Sequence, residues 1–220
     1  MKALTELTAV AAPIPADNLD TDQLMPKQFL RGVDKSGLAA GLLYNLHFDA
    51  AGAKNETFVL NRPGFEATQI LCGDPNFGCG SSREHAVWGL LQYGIRAVIA
   101  PSFGEIFYSN AFNNGLLAAK VSPKASEEIF ACLSDQTPIR LSISVEAQSI
   151  KSPDGRSWNF EIGERHRTML LQGLDMLEAT LADAAAIQAF RARHAPAYPW
   201  MAGLPGKRRR LRDAQRAQRT

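Results

Sequence analysis

The sequence predicts an α/β fold built around a mostly parallel or mixed sheet. Between residues 68 and 115, stretches typical of strands and helices alternate in the order strand, turn, helix, strand, turn, helix, which is the pattern of right-handed crossover units. The chain has 220 residues, of which 45% are hydrophobic and 21% charged, so it is long enough for one full-sized domain with a sizeable core. The lack of a long apolar run and of a secretory leader pattern predicts a soluble, unexported protein.

The elements before these units are less regular. Residues 3–12 contain no turn residues and predict a strand that ends at Pro13. Residues 25–46 alternate short apolar groups with glycine and predict one short helix followed by a mobile loop. Residues 57–60 predict a second strand, and residues 68–72 predict a third that leads directly into a glycine- and serine-rich turn.

Helical spacing of apolar residues predicts the two central helices. They cover residues 85–93 and 106–114, end at Gly94 and Gly115, and enclose a buried strand over 95–100. Further along, the sequence predicts a helix over 121–133, a hairpin of 139–150 with 157–162, and helices over 165–181 and 182–193. We therefore expect one domain over residues 1–201, followed by a tail at 202–220.

Charge is distributed unevenly along the chain. Residues 207–220 carry seven basic side chains and one acidic side chain, so this tail has a net charge of +6 while the preceding 206 residues have −4. Such a like-charge run after a Gly/Pro segment is typical of a solvated, disordered terminus. Nucleic-acid binding is disfavoured, because the preceding part shows no basic stripe or aromatic platform.

Cysteine usage indicates a reducing compartment. Cys72, Cys79 and Cys132 are an odd number without the spacing of metal ligands, so neither a disulfide framework nor a metal site is predicted in this chain. We expect a cytoplasmic protein.

The stretch from Asp74 to Trp88 is the strongest candidate for a binding site. Its small residues Gly78, Gly80 and Ser81 permit a tight turn, and a turn that opens a helix exposes unpaired N–H donors that favour an anion. The hydroxyls of Ser81 and Ser82 and the guanidinium of Arg83 add a receptor for a carboxylate.

Two alternatives for this stretch are weighed against that interpretation. Spacing fits equally well a capped helix start, with Ser81 or Ser82 as the N-cap and Glu84 in the first turn. His85 lies four residues after Ser81, which is the spacing of a serine with its base on one helix face. Because no Gly-x-Ser-x-Gly elbow is present, we favour His85 as a hydrogen-bonding residue that braces the turn.

Two other segments carry charged groups. Residues 17–22 lack the glycine and the closing glutamate of a calcium loop, so they are either an Asx-rich turn that caps the next segment or an acidic cluster with a functional partner. The loop with Lys27, Arg31 and Lys35 could close over an acidic substrate, although exposed loop cations are more often only solvated.

Four motifs together carry a family resemblance. They are Asn-Leu-Asp-Thr-Asp-Gln-Leu-Met-Pro-Lys-Gln-Phe-Leu from residue 18, Asn-Phe-Gly-Cys-Gly-Ser-Ser-Arg-Glu-His-Ala from residue 76, Val-Ile-Ala-Pro-Ser-Phe-Gly-Glu-Ile-Phe-Tyr-Ser-Asn-Ala-Phe-Asn-Asn from residue 98, and Gly-Leu-Asp from residue 173. From about residue 8 to 201 the chain resembles the small subunits of 3-isopropylmalate dehydratase, in the aconitase superfamily. The resemblance implies a three-layer β/β/α swivelling domain, like the aconitase C-terminal domain, with C-terminal helices.

The resemblance also implies a partner and a reaction. The partner is a large subunit, in a heterodimer or a higher hetero-oligomer, which carries a 4Fe–4S cluster whose iron binds the substrate hydroxyl and carboxylate. The reaction dehydrates 2-isopropylmalate to 2-isopropylmaleate and rehydrates it to 3-isopropylmalate, in leucine biosynthesis. A related hydro-lyase for citramalate or 2,3-dimethylmalate, and a stand-alone dicarboxylate-binding module, remain as alternatives.

Five residues receive roles from the resemblance. Ser81 matches the catalytic base that removes the carbon-bound proton, and Asp22 matches an acidic position that supports proton handling or hydrogen bonding. Ser82 and Arg83 match residues that hold a substrate carboxylate, and Arg31 is a second candidate ligand for a carboxylate.

Overall fold

The computed structural model describes residues 1–30, 36–81, 83–134 and 136–201. In this part of the chain the strands are β1 (Glu6–Ile14), β2 (Thr68–Gly73), β3 (Ala97–Ala100), β4 (Leu117–Lys120), β5 (Ile139–Ser144), β6 (Ser149–Lys151) and β7 (Ser157–Asn159). The α-helices are α1 (Thr21–Leu24), α2 (Tyr44–His47), α3 (Glu84–Tyr93), α4 (Glu105–Asn113), α5 (Pro123–Cys132), α6 (Glu164–Gln172), α7 (Met176–Leu181) and α8 (Ala184–Ala197). Short 3-10 segments cover Lys27–Phe29, Leu38–Gly41, Val59–Asn61 and Pro199–Met201.

One sheet joins all seven strands in the order β4-β3-β2-β1-β5-β6-β7. Strands β4 to β1 are parallel, and β1, β5, β6 and β7 pair antiparallel. The long strand β1 belongs to both halves, with a register shift between Val10 and Ala11 where its pairing passes from β5 to β2. The sheet curls, and the predicted α/β swivelling-domain class is confirmed.

The parallel half forms the centre of the core. All four residues of β3 are buried, as are Ile70, Leu71 and Cys72 of β2. Parallel strands with helices on their faces read as continuous apolar runs, which is why both segments were predictable. The predicted crossover units β2-α3-β3 and β3-α4-β4 are confirmed, and α3 ends at Gly94 in the left-handed region. Consequently the loops that follow β1, β2 and β3 emerge at the same edge of the sheet.

Two of the N-terminal predictions are wrong in detail. Strand β1 runs through Pro13 to Ile14, because its pairing with β5 ends at Ala11 and Pro13 then pairs only with β2. Residues 57–60 do not form a strand; the side-chain amide of Asn61 donates to the carbonyls of His47 and Asn55, at 2.8 Å each, and stabilises a 3-10 segment.

Strand β4 was missed, and one predicted strand is a hairpin. The short Leu-Ala-Ala-Lys run of β4 has low intrinsic strand preference, and complete burial of its first three residues determines its conformation. The stretch 139–150 divides into β5 and β6 around a turn in which Gln148 has a φ of 49°. The hairpin of β6 and β7 across residues 152–156 is confirmed.

The region predicted as a short helix and a mobile loop is packed where the structure describes it. Leu38, Leu42 and Leu43 are at most 3% exposed. The amide of Leu38 donates to the side chain of Gln92 on α3 at 2.9 Å, and that of Leu43 donates to the carbonyl of Leu24 at 2.9 Å. Residues 36–47 are therefore 3-10 and α-helical turns on the core. Arg31 lies outside the described residues.

The chain divides into two compact units, Met1–Met176 and 177 onward. The helix predicted over 165–181 is broken at Gly173, whose φ of 70° ends α6 in the left-handed region. In the second unit, α8 and the segment after it carry a row of aromatic rings, with centroid separations of 5.0, 4.4 and 5.3 Å from Phe190 through His194 and Tyr198 to Trp200. The domain boundary expected after residue 201 stays a prediction, since the tail lies outside the described residues. None of the described helices is long and apolar enough to cross a membrane.

Candidate active site

The acidic segment after β1 and the glycine-serine turn after β2 are joined by backbone hydrogen bonds. Gly78 N donates to Leu19 O at 2.7 Å, and Thr21 N donates to Cys79 O at 3.0 Å. Asp20 and Cys79 form an isolated parallel bridge between them. Two motifs nearly 60 residues apart in sequence therefore form one short ladder at the edge of the sheet.

The loop after β3 supports the same turn from its other side. Phe77 N donates to Ser102 O at 3.1 Å, Gly104 N donates to Phe77 O at 2.9 Å, and Asn76 N donates to Ser102 Oγ at 2.8 Å. A Cβ on Gly104 would lie only 2.6 Å from the carbonyl oxygen of Gly78. Glycine at 104 thus allows the two backbones to approach closely.

The acidic segment caps helix α1, as one of its two interpretations predicts, and it also contacts the turn; a functional role for its carboxylates stays a prediction. Asp20 accepts from Gln23 N at 2.7 Å, and Gln23 Oε1 accepts from Asp20 N at 2.9 Å, which is a complete capping box for α1. The next residues point toward the turn: the Thr21 hydroxyl donates to Ser81 O at 2.7 Å, and Asp22 forms an ion pair with Arg83.

Ser81 lies exposed on the turn, three residues before α3. The N-cap of α3 is Arg83, which makes no side-chain capping bond, so the interpretation of Ser81 as the N-cap is wrong. Glu84 does occupy the first turn, and its carboxylate accepts from the Asn114 side chain at 2.7 Å. The start of α3 is therefore held by the residue that follows α4, and Ser81 does not serve as its cap.

The ion pair of Arg83 and Asp22 joins Nη1 to Oδ1. The Arg83 side chain is 16% exposed and that of Asp22 is 43% exposed, so the guanidinium is the more buried partner. A guanidinium has five N–H donors, and a carboxylate partner leaves the others able to bind a second carboxylate. The structure thus brings three of the five predicted site residues into one region, since Ser81, Arg83 and Asp22 are linked through adjacent residues.

The remaining predicted residues have other outcomes. Ser82, like Arg31, lies outside the described residues. The ring of His85 packs 4.7 Å from that of Trp88. Thr21 and Ser102 were not predicted as part of the site; the hydroxyl between two acidic residues and the Pro-Ser-Phe-Gly turn after a buried strand were the available signals.

The three thiols lie in the part of the chain that the structure describes. No group of three or more His, Cys, Asp or Glu residues that could hold a metal ion is found among the described residues. Burial raises the pKa of the Cys72 thiol well above its usual range, which disfavours the thiolate that a metal would need. Cys79 Sγ donates to Asn18 O at 3.3 Å. The donor set of these residues therefore does not fit an iron–sulfur cluster.

Two acidic residues, Asp17 and Asp74, lie in the loops that follow β1 and β2. Burial raises the pKa of the Asp74 carboxyl, and the nearby charge of Asp17 raises it further. The charges of Asp74 and Asp17 are therefore close enough to interact.

Comparison with known families agrees with these observations. Residues 1–124 match the model of the aconitase C-terminal domain, and residues 179–204 match that of the C-terminal domain of the 3-isopropylmalate dehydratase small subunit.

Full-length relatives extend the agreement over almost the whole chain. A 3-isopropylmalate dehydratase small subunit 1 from Chromobacterium violaceum is 53% identical over 197 residues, which cover 90% of this chain and 92% of the relative. The small subunit from Phenylobacterium zucineum is 43% identical over 203 residues, covering 92% and 100%. The crystal structure of 3-isopropylmalate dehydratase (leuD) from Methanocaldococcus jannaschii matches with a TM-score of 0.61 and 28% identity, covering 84% of this chain and 98% of that one. The chain therefore belongs to the family of 3-isopropylmalate dehydratase small subunits, hydro-lyases of the aconitase superfamily.

Proposed function

We propose that this chain supplies one wall of an active site whose other wall comes from a large subunit, and that Ser81, Arg83 and Asp22 carry its share of the dehydration of 2-isopropylmalate and the rehydration to 3-isopropylmalate. The observation that carries the proposal is the junction of the two loops. Thr21 contacts the backbone of Ser81, and Asp22 contacts the guanidinium of Arg83. A proton-handling hydroxyl and a carboxylate-binding cation are thereby held side by side on one rigid edge.

Ser81 is the proposed base for the carbon-bound proton. In dehydration its Oγ, as the alkoxide, takes this proton, a carbon–carbon double bond forms, and the hydroxyl on the neighbouring carbon leaves with its bonding electrons as hydroxide; rehydration reverses these steps, with hydroxide adding to the other carbon. A serine hydroxyl in water is far too weak a base, so its alkoxide needs nearby positive charge and exclusion of water. The N-terminal end of α3 and the Arg83 guanidinium supply positive potential here.

The exposure of Ser81 is the reason a second chain is required. In this chain alone the Ser81 side chain faces solvent. A covering subunit would remove that water and strengthen the interaction of Ser81 with the surrounding charges. We propose that this subunit is the large subunit of the dehydratase, in a heterodimer or higher hetero-oligomer, and that the enzyme works in the cytoplasm.

Arg83 is the proposed anchor for a substrate carboxylate, with Ser82 as a further donor and Arg31 as the anchor for a second carboxylate. Arg83 is already paired with Asp22, which fixes its orientation before substrate arrives. Incoming carboxylate then exchanges with, or binds beside, the Asp22 carboxylate.

The iron–sulfur cluster belongs, in this proposal, to the large subunit. When bound, such a cluster supplies a Lewis acid that polarises the substrate hydroxyl. The present chain contributes the base, the carboxylate anchor and the second half of the enclosure.

The test uses the enzyme reconstituted with its large subunit under anaerobic conditions. Ser81→Ala should assemble normally and lower kcat by about 10²–10⁴-fold, the usual contribution of a general base, when 2-isopropylmaleate is followed by its absorbance. Ser142→Ala is the matched control, since its hydroxyl bonds Thr8 in the antiparallel half of the sheet and should leave kcat unchanged. Near-full activity of Ser81→Ala would eliminate the base assignment. Tight binding of isopropylmalate to the isolated chain, measured by calorimetry, would contradict the need for a second subunit.

A further inference from the structure

We propose that Thr21 is a positioning residue for this reaction, and that its side-chain hydroxyl fixes the backbone of Ser81. This role rests on the proposed function of Ser81 as the base. Thr21 would touch neither substrate nor cofactor; it would act through the carbonyl of Ser81, to which its Oγ1 donates at 2.7 Å.

In the described part of the turn, the main-chain ladder to the acidic segment ends at Cys79. The ladder between the two loops consists of Gly78 N to Leu19 O and Thr21 N to Cys79 O. The following residue, Gly80, has a φ of 83°, and an added Cβ there would meet only the Asp20 Cβ, at 3.4 Å. Glycine in open space allows backbone rotation, so the next residue needs a restraint of its own.

The Thr21 hydroxyl continues the ladder past this glycine. The hydrogen bond from Thr21 Oγ1 to Ser81 O is 2.7 Å long, the usual distance for a well-formed O–H···O bond. Because one residue donates both its amide to Cys79 and its hydroxyl to Ser81, it spans the flexible position from both sides.

Thr21 is itself rigidly placed. Its exposed fraction is 1%, and it lies inside the capping box of Asp20 and Gln23. One turn later, Leu24 is fully buried and its carbonyl accepts from Leu43 N at 2.9 Å. The hydroxyl is thus fixed by the core, and it transmits that rigidity to an exposed serine.

This arrangement predicts that Thr21 affects turnover more than substrate binding. The carboxylate anchor Arg83 is held separately, by Asp22. Loss of the Thr21 hydroxyl should therefore leave KM within about threefold, while displacement of Ser81 by up to about 1 Å lowers kcat by up to about 10²-fold.

The test compares Thr21→Val with Thr21→Ser in the reconstituted enzyme. Valine keeps the shape of threonine and removes the hydroxyl, whereas serine keeps the hydroxyl. We expect kcat to fall by about 10- to 100-fold in Thr21→Val and to stay within about threefold of wild type in Thr21→Ser. Thr68→Val is the matched control, because Thr68 is also buried and its Oγ1 has no hydrogen-bond partner; its kcat should be unchanged.

A second pair covers the case in which Thr21→Val fails to assemble. Thr21→Ser and Thr21→Ala differ by one hydroxyl group, and both are smaller than the native side chain. We expect kcat of Thr21→Ala to be about 10- to 100-fold lower than kcat of Thr21→Ser.

The outcomes separate this inference from the proposal on which it rests. If Ser81→Ala is inactive while Thr21→Val, or Thr21→Ala, keeps kcat within twofold of its hydroxyl-bearing counterpart, the positioning role is overturned and the base assignment stands. Equal losses in Thr21→Val and Thr21→Ser would also overturn it, since shape would then be the cause. If Ser81→Ala is active, the base assignment of Ser81 and the positioning role of Thr21 are both overturned.

Discussion

The close approach of two loops at Gly104 gives a sharp test of how rigidly the site is built. Gly104 is the N-cap of α4 with a φ of −59°, a value that alanine adopts without strain. A Cβ at this position would lie 2.6 Å from the carbonyl oxygen of Gly78 and 2.9 Å from Cα of Cys79. Both are backbone atoms of the glycine-serine turn, so no side-chain rotation can relieve the contact.

The size of the effect of Gly104→Ala follows from how far the added Cβ must move away from the backbone of the turn. Carbon atoms attract at about 3.5 Å, so the turn and the N-terminus of α4 must separate by roughly 0.6 Å in Gly104→Ala. Overpacking of this kind costs about 1–3 kcal/mol, which for a chain of this size lowers Tm by about 2–12 °C. If about 1 Å of misplacement lowers turnover by about 10²-fold, a shift of this size should lower kcat by about tenfold or more.

The assay follows kcat in the reconstituted enzyme and thermal unfolding of this chain alone. Gly163→Ala is the matched control, because Gly163 is also a helix N-cap, with a φ of −63°. The nearest atom to its added Cβ would be His166 Nδ1 at 3.9 Å, an ordinary contact. Alanine is a poorer N-cap than glycine but also restricts the unfolded chain, and these effects have opposite signs, so we expect Gly163→Ala to change the free energy of unfolding by at most about 1 kcal/mol. Equal effects of the two substitutions would refute the steric reasoning.

Two further predictions concern stability. Thr68→Val removes a buried hydroxyl that has no hydrogen-bond partner, so it should raise the free energy of unfolding by up to about 1–2 kcal/mol; a lower Tm in thermal melts would contradict this. Burial lowers the pKa of His47 and of His166, so the unfolded chain binds more protons near pH 6 and stability should fall as pH drops through the ordinary histidine pKa of about 6.5. Replacing both histidines by glutamine should flatten this part of a plot of unfolding free energy against pH, and an unchanged slope would count against it.

The crossover units β2-α3-β3 and β3-α4-β4 could be predicted because the local sequence patterns there agree with the burial of the residues. Glycine ends α3, and continuous apolar runs mark β2 and β3, so pattern and packing agree there. They disagree at β4, where two alanines carry no strand preference and complete burial decides, and at 57–60, where an asparagine side chain stabilises a 3-10 segment instead of a strand.

The site shows a different limit of sequence reasoning. The turn was recognisable as an anion receptor from its glycines, hydroxyls and arginine, but spacing could not separate that from simple capping. Arg83 as the N-cap of α3 excludes capping by Ser81, and the structure adds the pairing of Asp22 with Arg83 across about 60 residues, a contact that no local pattern encodes. Thr21 escaped notice because a threonine carries no ionisable group, and its importance depends on a carbonyl that only the fold brings near.

The charge balance at Arg83 bears on why the proposed site would be divided between two chains. A guanidinium with only 16% of its side chain exposed is expensive to leave without a counterion, and Asp22 provides one before substrate arrives. On the proposed mechanism, a substrate carboxylate that displaces Asp22 replaces one charge-assisted contact with another, so the exchange itself yields little net free energy. The net binding affinity for substrate must then come from groups that have no partner until substrate binds. The exposed Ser81 turn is such a group, and its interaction with substrate becomes strong only when a second subunit excludes water. Asp22→Asn should accordingly leave Arg83 with a weaker partner and change KM for substrate more than Thr21→Val does.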